Sequence, residues 1–402
     1  MSKQKKIMLL GGAAHIVPVI EAAHKHGLYV ITVDYLPDNT AHKYSDEYVN
    51  VSIVDKEAVL KAAQEREIDG IVSFGIDPGV ESAAYVQEQM HLPSMGPYQS
   101  AHILQNKDLF RAFMRDNGFN VPKSKGFASK QEALSDMSWY EFPMIVKPAD
   151  GSGSKGVTRV DNEAELKKAL DVAFDRSRCG NVIVEAFIEK DGCSSDCDAF
   201  SVNGELKSIY YSAQHFDDSA ANPYTPAAYS WSCTFTEEQK DYLTSEIQRM
   251  LRLLNMGTTV YNIEARIGKD GKPYIMEVTP RGGGNRLSEM VRFMTGVDYI
   301  KANVLGAVGE TPVVEQKPIE GYWAEVILHA EKDGVFNGVD IAPSMQPFVV
   351  ELAPTTAIGQ HVEAFSCASD SLGSVVLRFD DKATMEYAIT HQAEWLKVRV
   401  KE

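Results

Sequence analysis

TTVYNIEARIGKDGKPYIMEVTPRGGGNR, residues 258–286, decides the reading of the fold. The Asp270-Gly271 pair is a strong signal for a tight β-hairpin. On each side of it apolar and polar residues alternate with period two, the mark of a half-buried strand. Tyr274, Met276 and Val278 alternate with Ile275, Glu277 and Thr279. A turn centred on Asp270-Gly271 sets Glu264 opposite Glu277 and Asn262 opposite Thr279, and assigns Tyr261, Ile263, Met276 and Val278 to the buried face. Directly opposed residues have Cβ atoms about 4.5–5.5 Å apart, and like charges so placed repel. A hard divalent cation relieves that repulsion, because Mg²⁺ takes carboxylate oxygens, usually together with substrate phosphates. Ordinary solvent-facing glutamates on a two-faced hairpin are the competing explanation. Beyond Pro280 come Arg281 and Gly282-Gly283-Gly284. A fixed guanidinium there suits charge on a transferring phosphoryl group or a tetrahedral oxyanion.

A second stretch is FPMIVKPADGSGSKGV, residues 142–157. An apolar strand delivers Lys147, and the chain then enters Gly151-Ser152-Gly153-Ser154-Lys155-Gly156. Glycines let backbone N–H groups approach phosphate oxygens, and serines add donors. The spacing is not that of a Walker A loop, and a flexible surface turn is the plain alternative. Lys147 argues against the plain reading, since a lysine within a buried strand is costly unless an anion pairs with it. VIVEAFIE, residues 182–189, reads as a strand whose end, Glu185-Ala186-Phe187, has the form of an adenine-reading edge.

The first ninety or so residues alternate strand and helix: KIMLL, a helix stopping at Gly27, YVITVD, a helix capped by Asp55, DGIVSF and a helix through Gln89. That order means a parallel, Rossmann-like sheet. Gly11-Gly12 lacks the spaced glycine fingerprint of a dinucleotide site, so Asp34 reads as an ordinary strand-end residue. His15, just behind these glycines, is either a cleft residue or a cap. After the linker HLPSMGP, Ser100 is expected to cap one helix running to Asn117-Gly118, with Lys107 on it. From there to about residue 310 the strands pair as hairpins with helices between, an α+β pattern with an antiparallel sheet. The last eighty residues form a small α+β unit. The segment QHFDDSAANPYTPAAYSWSC, residues 214–233, reads as a long irregular loop.

The chain has 402 residues and a formal charge of −16. Such a balance disfavours a nucleic-acid or anionic-membrane surface binder, which needs basic surface. No stretch is long and apolar enough to span a membrane, and a cytoplasmic protein is expected. Five cysteines, an odd number, do not form a disulfide framework. Cys193 and Cys197 lie close in sequence, but no second ligand pair accompanies them, and they read as free thiols.

Taken in order, Lys107 in QNKDLF, Lys147 in IVKPADGSGSKG, VEAFI, and Glu264 and Glu277 in NIEARIGKDGKPYIMEVTPRGGG resemble the ATP-grasp superfamily, nearest its carbamoyl-phosphate-synthetase-like, amino-acid-ligase branch. The resemblance implies a Rossmann-like pre-ATP-grasp domain at 1–97, an ATP-grasp core of two α+β subdomains at 98–315 with a lid at about 122–186, and a small C-terminal α+β domain at 316–402. It implies that Lys107, Lys147 and the loop residues Gly151, Ser152, Gly153, Ser154 and Gly156 hold ATP phosphates. Glu185, Ala186 and Phe187 would line the adenine pocket. Glu264 and Glu277 would hold two Mg²⁺ ions, with Mn²⁺ as an alternative, and Thr279 stands where the family usually has an asparagine ligand. Arg281 would neutralise an acyl-phosphate and the tetrahedral intermediate that follows it. Asn285 and Arg286 are the candidates for a substrate carboxylate, and Ser194, Asp196 and Asp198 for a ribose contact. The implied activity is an ATP-dependent carboxylate–amine ligase, acting on small-molecule substrates and releasing ADP and phosphate. A purine-biosynthesis-like or carbamoyl-phosphate-like enzyme and a non-catalytic nucleotide-binding module are the alternatives. A homodimer is the family's habit.

Overall fold

A computed structural model describes residues 3–151, 153, 155–220, 222 and 224–401. At the N-terminus β1 (Lys6–Leu10), β2 (Tyr29–Asp34), β3 (Glu47–Asn50) and β4 (Gly70–Ser73) form a parallel sheet in the order β3-β2-β1-β4. The near-continuous apolar character of β1 and β2 follows from burial on both faces. Ile7, Leu9 and Val30 pack into a core with Phe200, Val260 and Tyr299 from later in the chain. Met8, Leu10, Ile31 and Val33 face the other way, onto Val59 and Ala63 of α2 (Lys56–Arg66) and Val80 and Ala84 of α3 (Val80–Gln89). Asp55 caps α2, accepting from the Ala58 amide at 3.0 Å.

The expected single helix after the linker is two. α4 (Tyr98–Gln105) and α5 (Lys107–Asp116) meet at Asn106, whose φ and ψ of −113° and 109° are extended. Ser100 does not cap; its hydroxyl donates to the Leu254 carbonyl at 2.6 Å. The Asn106 amide group donates to Glu81 at 3.0 Å and to the His102 carbonyl at 2.8 Å, so side-chain bonds replace helical ones at the break. The break makes Lys107 the first residue of α5.

Two antiparallel sheets follow. β5 (Ser124–Phe127), β6 (Met144–Pro148), β7 (Thr158–Val160) and β8 (Val182–Ala186) run in the order β5-β8-β6-β7. One face of this sheet, with Met144, Val146, Val182 and Val184, packs on Leu166, Leu170 and Ala173 of the helix Glu163–Arg176. Lys147 and Glu185 therefore share the opposite face. The second sheet orders β10 (Glu205–Ile209), β9 (Lys190–Val202), β13 (Thr259–Gly268) and β14 (Pro273–Thr279) side by side.

The hairpin of β13 and β14 has the register read from its turn: Glu264 opposite Glu277, and Asn262 opposite Thr279. A bulge then intervenes, because Ala265 pairs with Ile275 and Met276 is left over. The extra residue inverts the alternation between Glu277 and the turn. Ile275 and Val278 enter the core with Leu243, Ile247 and Met250. Met276, expected in that core, turns to the cleft instead.

The segment expected as a loop at 214–233 contains two strands, β11 (Ala213–Phe216) and β12 (Pro226–Ser230). They extend a five-stranded sheet ordered β11-β12-β15-β19-β17 with β15 (Tyr322–Ile327), β17 (Val349–Pro354) and β19 (Gly373–Phe379). The strands are four and five residues long, and β12's partner β15 lies about ninety residues away, so no local pattern announces them. Among the described residues no helix is long and apolar enough to cross a membrane.

Candidate active site

A cleft of about 430 Å³ opens where the parallel sheet, the two antiparallel sheets and the β11–β12 arm meet. Its walls include Asp77, Lys107, Lys147, Gly151, Gly153, Glu185, Ala186, Phe187, Asp196, Tyr229, Asn262, Glu264, Arg266, Met276, Glu277, Arg281 and Asn285. Most of the residues singled out in the sequence thus come together. Ser152 and Ser154 lie outside the described residues.

One wall is acidic. Burial first, then the neighbouring charges of Glu277 and Asp196, push the Glu264 carboxyl up to about 7. Asp196, paired in register with Glu264 across β9 and β13, is pushed to about 7, mainly by burial. Asn262 donates to Asp196 at 2.5 Å and the Tyr229 hydroxyl donates at 3.2 Å, while Asn285 donates to the Tyr229 oxygen at 3.1 Å. Asp198 accepts from the Gly283 amide at 2.9 Å and from the Ser288 hydroxyl.

The glycine run has a packing reason. A Cβ on Gly282 would lie 2.4 Å from the Phe74 ring, and one on Gly283 would lie 2.8 Å from both Asn262 and Asp198. The run lets the end of β14 close against the parallel sheet and places the Gly283 amide on Asp198.

The other wall is cationic. Lys107 Nζ donates to the Gly151 carbonyl at 2.7 Å and lies 3.3 Å from Glu277. Lys147 meets its anion within the protein: Nζ donates to Glu185 Oε1 at 2.5 Å, and Arg111 Nε donates to Oε2 of the same carboxylate at 2.8 Å. All three are buried, with relative exposures of 9%, 2% and 1% for Lys147, Glu185 and Arg111. The geometry follows from register, because Ile145 pairs with Glu185 and Lys147 with Ile183, which makes Lys147 and Glu185 diagonal neighbours on one face. Burial pushes Glu185 up, but Arg111 and Lys147 outweigh it and hold the carboxyl at about 2. Lys147 nonetheless moves down, through burial and the added repulsion of Arg111 and Lys107, against the pull of Glu185. By formal charge, two cations, Lys147 and Arg111, share the single carboxylate of Glu185. Glu185 lines the cleft but spends its carboxylate on this cluster.

Arg281 is clamped by Asp77, Nε to Oδ1 at 2.9 Å and Nη2 to Oδ2 at 3.0 Å, with Nη1 donating to the Gly282 carbonyl at 2.9 Å. Asp77 escaped the sequence reading, although the signal existed. It sits in a turn just past the carboxyl end of the parallel strand β4, where open α/β sheets place ligand-facing groups. Tyr229 was hidden in the segment read as a loop. His15 reaches the same region, its ring 2.9 Å from where a Gly75 Cβ would lie.

Two sequence-based expectations do not hold geometrically. Thr279 is 1% exposed and is absent from the cleft wall, buried on the face it shares with its register partner Asn262, which reaches the cleft and commits its amide to Asp196. Arg286 turns away, Nε to Glu289 at 3.0 Å and Nη2 to Glu351 at 2.9 Å. Asn285 and Arg286 both have positive φ, 52° and 57°, and this left-handed turn sends successive side chains to different sides. Behind Arg286 lies Glu325, wholly buried, with neither oxygen in a well-formed hydrogen bond. Burial pushes its carboxyl from 4.5 to about 8. The folded state thus keeps a proton that the unfolded chain releases above about 4.5, and stability falls as pH rises toward 8. Glu325→Gln should melt above the wild type at pH near 8 and with it near 4.5. Thermal melts at the two pH values check this, and parallel behaviour would refute the buried proton.

No cluster of three or more His, Cys, Asp and Glu among the described residues forms a metal cage. Two carboxylates with substrate phosphates completing the shell is the usual Mg²⁺ arrangement, so Glu264 and Glu277 fit a metal that arrives with a nucleotide.

Residues 140–289 match the family model described as ATP-grasp domain. The chain thus contains an ATP-grasp domain over that stretch. Its relatives include the uncharacterized protein y4rH of Sinorhizobium fredii, 25% identical over 80% of this chain and 68% of that protein. The carbamoyl phosphate synthase large chain of Clostridium perfringens is 23% identical over 77% of this chain. The chain spans only about a third of that relative's length, 30%. Among solved structures, the L-amino acid ligase from Bacillus licheniformis superposes with a TM-score of 0.82, at 20% identity over 100% of both chains. Phosphoribosylglycinamide synthetase from Anaerococcus prevotii gives 0.76, at 18% identity over 99% of this chain and 100% of that one. The biotin carboxylase domain of the Hydrogenobacter thermophilus 2-oxoglutarate carboxylase, in complex with MgADP and bicarbonate, gives 0.75, at 16% identity over 99% and 92%. The ATP-grasp fold therefore extends over the whole chain.

Proposed function

We propose that the chain is an ATP-dependent carboxylate–amine ligase that forms an amide through an acyl-phosphate and releases ADP and phosphate. The observation that carries this reading is that one cleft brings together an acidic pair, Glu264 and Glu277, and two lysines, Lys107 and Lys147, with Arg111 buried behind Lys147 on the shared Glu185 carboxylate. A ligand bearing both a divalent cation and several phosphate charges suits both groups. The names of the similar proteins support the same reading, among them a ligase of amino acids and an enzyme captured with MgADP.

Glu264 and Glu277 would hold Mg²⁺, or Mn²⁺ with its like preference for oxygen; the metal supplies charge neutralisation at the phosphates. Lys107 and Lys147 orient the triphosphate, the glycine loop covers it, and Ala186 and Phe187 flank the base. A substrate carboxylate attacks the γ-phosphate in line, and catalysis is positioning plus charge stabilisation. Arg281, held rigid by Asp77, faces the oxygen of the tetrahedral intermediate formed when the amine attacks. Closing the loop keeps water from the acyl-phosphate.

ADP release screened over panels of carboxylates and amines with Mg²⁺ tests the proposal; no stimulated release from any pair would overturn it. Lys147→Ala should weaken ATP binding about tenfold or more, the equivalent of about 1.4 kcal/mol. Calorimetric titration with a non-hydrolysable ATP analogue measures this, and an unchanged dissociation constant would remove Lys147 from the phosphate site.

A further inference from the structure

Cys193, near the start of β9, lies with its sulfur 3.4 Å from that of Cys233, three residues past the end of β12. Sequence proximity had suggested Cys197 as its neighbour, but Cys197 points into the core and is 1% exposed. The contact with Cys233 is built rather than incidental. Thr234 donates to the Cys193 sulfur twice, from its amide at 3.3 Å and its hydroxyl at 3.2 Å, and its oxygen accepts from the Cys193 amide at 3.0 Å. Gly192 makes this approach feasible: its φ is +75°, and a Cβ there would lie 2.4 Å from Thr234 Oγ1. Both thiols are partly accessible. No third ligand accompanies them among the described residues, so a metal site is not indicated.

We propose that Cys193 and Cys233 are a redox modification site, closed to an intramolecular disulfide by a small-molecule disulfide, which ties β9 to the chain leaving β12. The donors around Cys193 favour its thiolate: the Cys233 thiol and then Thr234 outweigh burial and pull Cys193 down to about 6, while Cys233, facing that charge, moves up. Cys193 is therefore the attacking sulfur. Its thiolate attacks one sulfur of the small disulfide; that S–S bond breaks and one thiolate leaves. Cys233 gives its proton to solvent and attacks the Cys193 sulfur, expelling the second thiolate. The protein loses two electrons and two protons, and the small disulfide becomes two thiols. The sulfurs must close from 3.4 Å to a bond of about 2.05 Å. The tie joins the two strands that meet inside the cleft through Asp196 and Tyr229, three residues after Cys193 and four before Cys233. It gives that wall a covalent brace.

The test uses the full chain and oxidised glutathione at neutral pH, followed by acid quench, alkylation and peptide mapping by mass spectrometry. The expected product is one cross-linked peptide pair, Cys193 with Cys233, reversed by dithiothreitol. Exposed Cys179 reports that the reagent was active. Cys233→Ser should trap glutathione on Cys193. Thr234→Val should slow that first step severalfold at pH 7 and not at pH 9, a pH profile that a merely structural role would not produce. Modification at Cys179 with Cys193 and Cys233 both still free, or a glutathione adduct on Cys193 that never closes in the wild type, overturns the proposal. Neither readout depends on ligase activity.

Discussion

Glu277→Gln is expected to lower kcat/KM for ADP release at least about 10³-fold, or about 4 kcal/mol of transition-state stabilisation, at unchanged protein yield. The substitution keeps the volume and hydrogen-bonding outline of the side chain and removes only its charge. On the proposed function, that charge holds the metal. It sits opposite Glu264 in register and helps push the Glu264 carboxyl up to about 7. Removing it relieves a like-charge repulsion, while the 3.3 Å ion pair with Lys107 is reduced to a hydrogen bond from the ammonium to a neutral amide oxygen. The melting temperature should therefore stay within about 2 °C of the wild type, or rise, as activity is lost. Arg281→Ala shares the catalytic loss but not the thermal silence, because it leaves Asp77, its bidentate partner, unpaired. A steady-state assay beside a thermal melt separates the two. Retained turnover in Glu277→Gln would place the metal elsewhere.

The opposition of Glu264 and Glu277 was legible through two offsets that cancel: beside the turn the pairs Ala265–Ile275 to Ile267–Pro273 are one residue off a turn centred on Asp270-Gly271, and the bulge restores that register beyond it. The bulge itself was not: whether Met276 or Ile275 enters the core depends on the helix Glu237–Leu253 packed beneath, which a period-two pattern cannot report. Lys147 showed the same division. Its place in an apolar strand demanded an anion, and the sequence supplied that demand. The identity of the anion, Glu185 on the adjacent strand with Arg111 behind it, rests on a pairing 38 residues apart and an ion pair 74 residues apart. The clamp of Asp77 on Arg281 spans 204 residues and was invisible for the same reason. Local chemistry named the candidate residues; the contacts that orient them are long-range and appear only once the sheets are assembled. Arg286 turns from the cleft because the left-handed turn at Asn285 and Arg286, which residue type does not announce, directs it to Glu289 and Glu351.

Glu185→Gln carries the largest expected loss of stability. Among the described residues the Glu185 carboxylate is the one anion in contact with Lys147 and Arg111, and all three groups are nearly removed from solvent. Replacing two apolar partners together can be neutral, but removing one member of a buried ion cluster leaves the others uncompensated and costs about 3–5 kcal/mol. Arg111 cannot shed its proton, so part of the cost falls on Lys147, whose pKa is already lowered by burial and by its cationic neighbours. The sign with pH follows from the carboxyl's position. Glu185 is held at about 2 in the folded protein against 4.5 when free, so its contribution is complete above 4.5 and is lost as pH falls toward 2. The gap between wild type and Glu185→Gln should be widest near neutrality and narrow on acidification. Nucleotide should also act on the variant more strongly than on the wild type, since triphosphate brings to Lys147 the negative charge that the substitution removed. Chemical denaturation from neutral pH to about 3, with and without a non-hydrolysable ATP analogue and Mg²⁺, measures both effects. A variant that unfolds with the wild type at every pH would mean that the Arg111–Glu185–Lys147 cluster is solvated, and with it would fall the argument that excess positive charge draws the phosphates in.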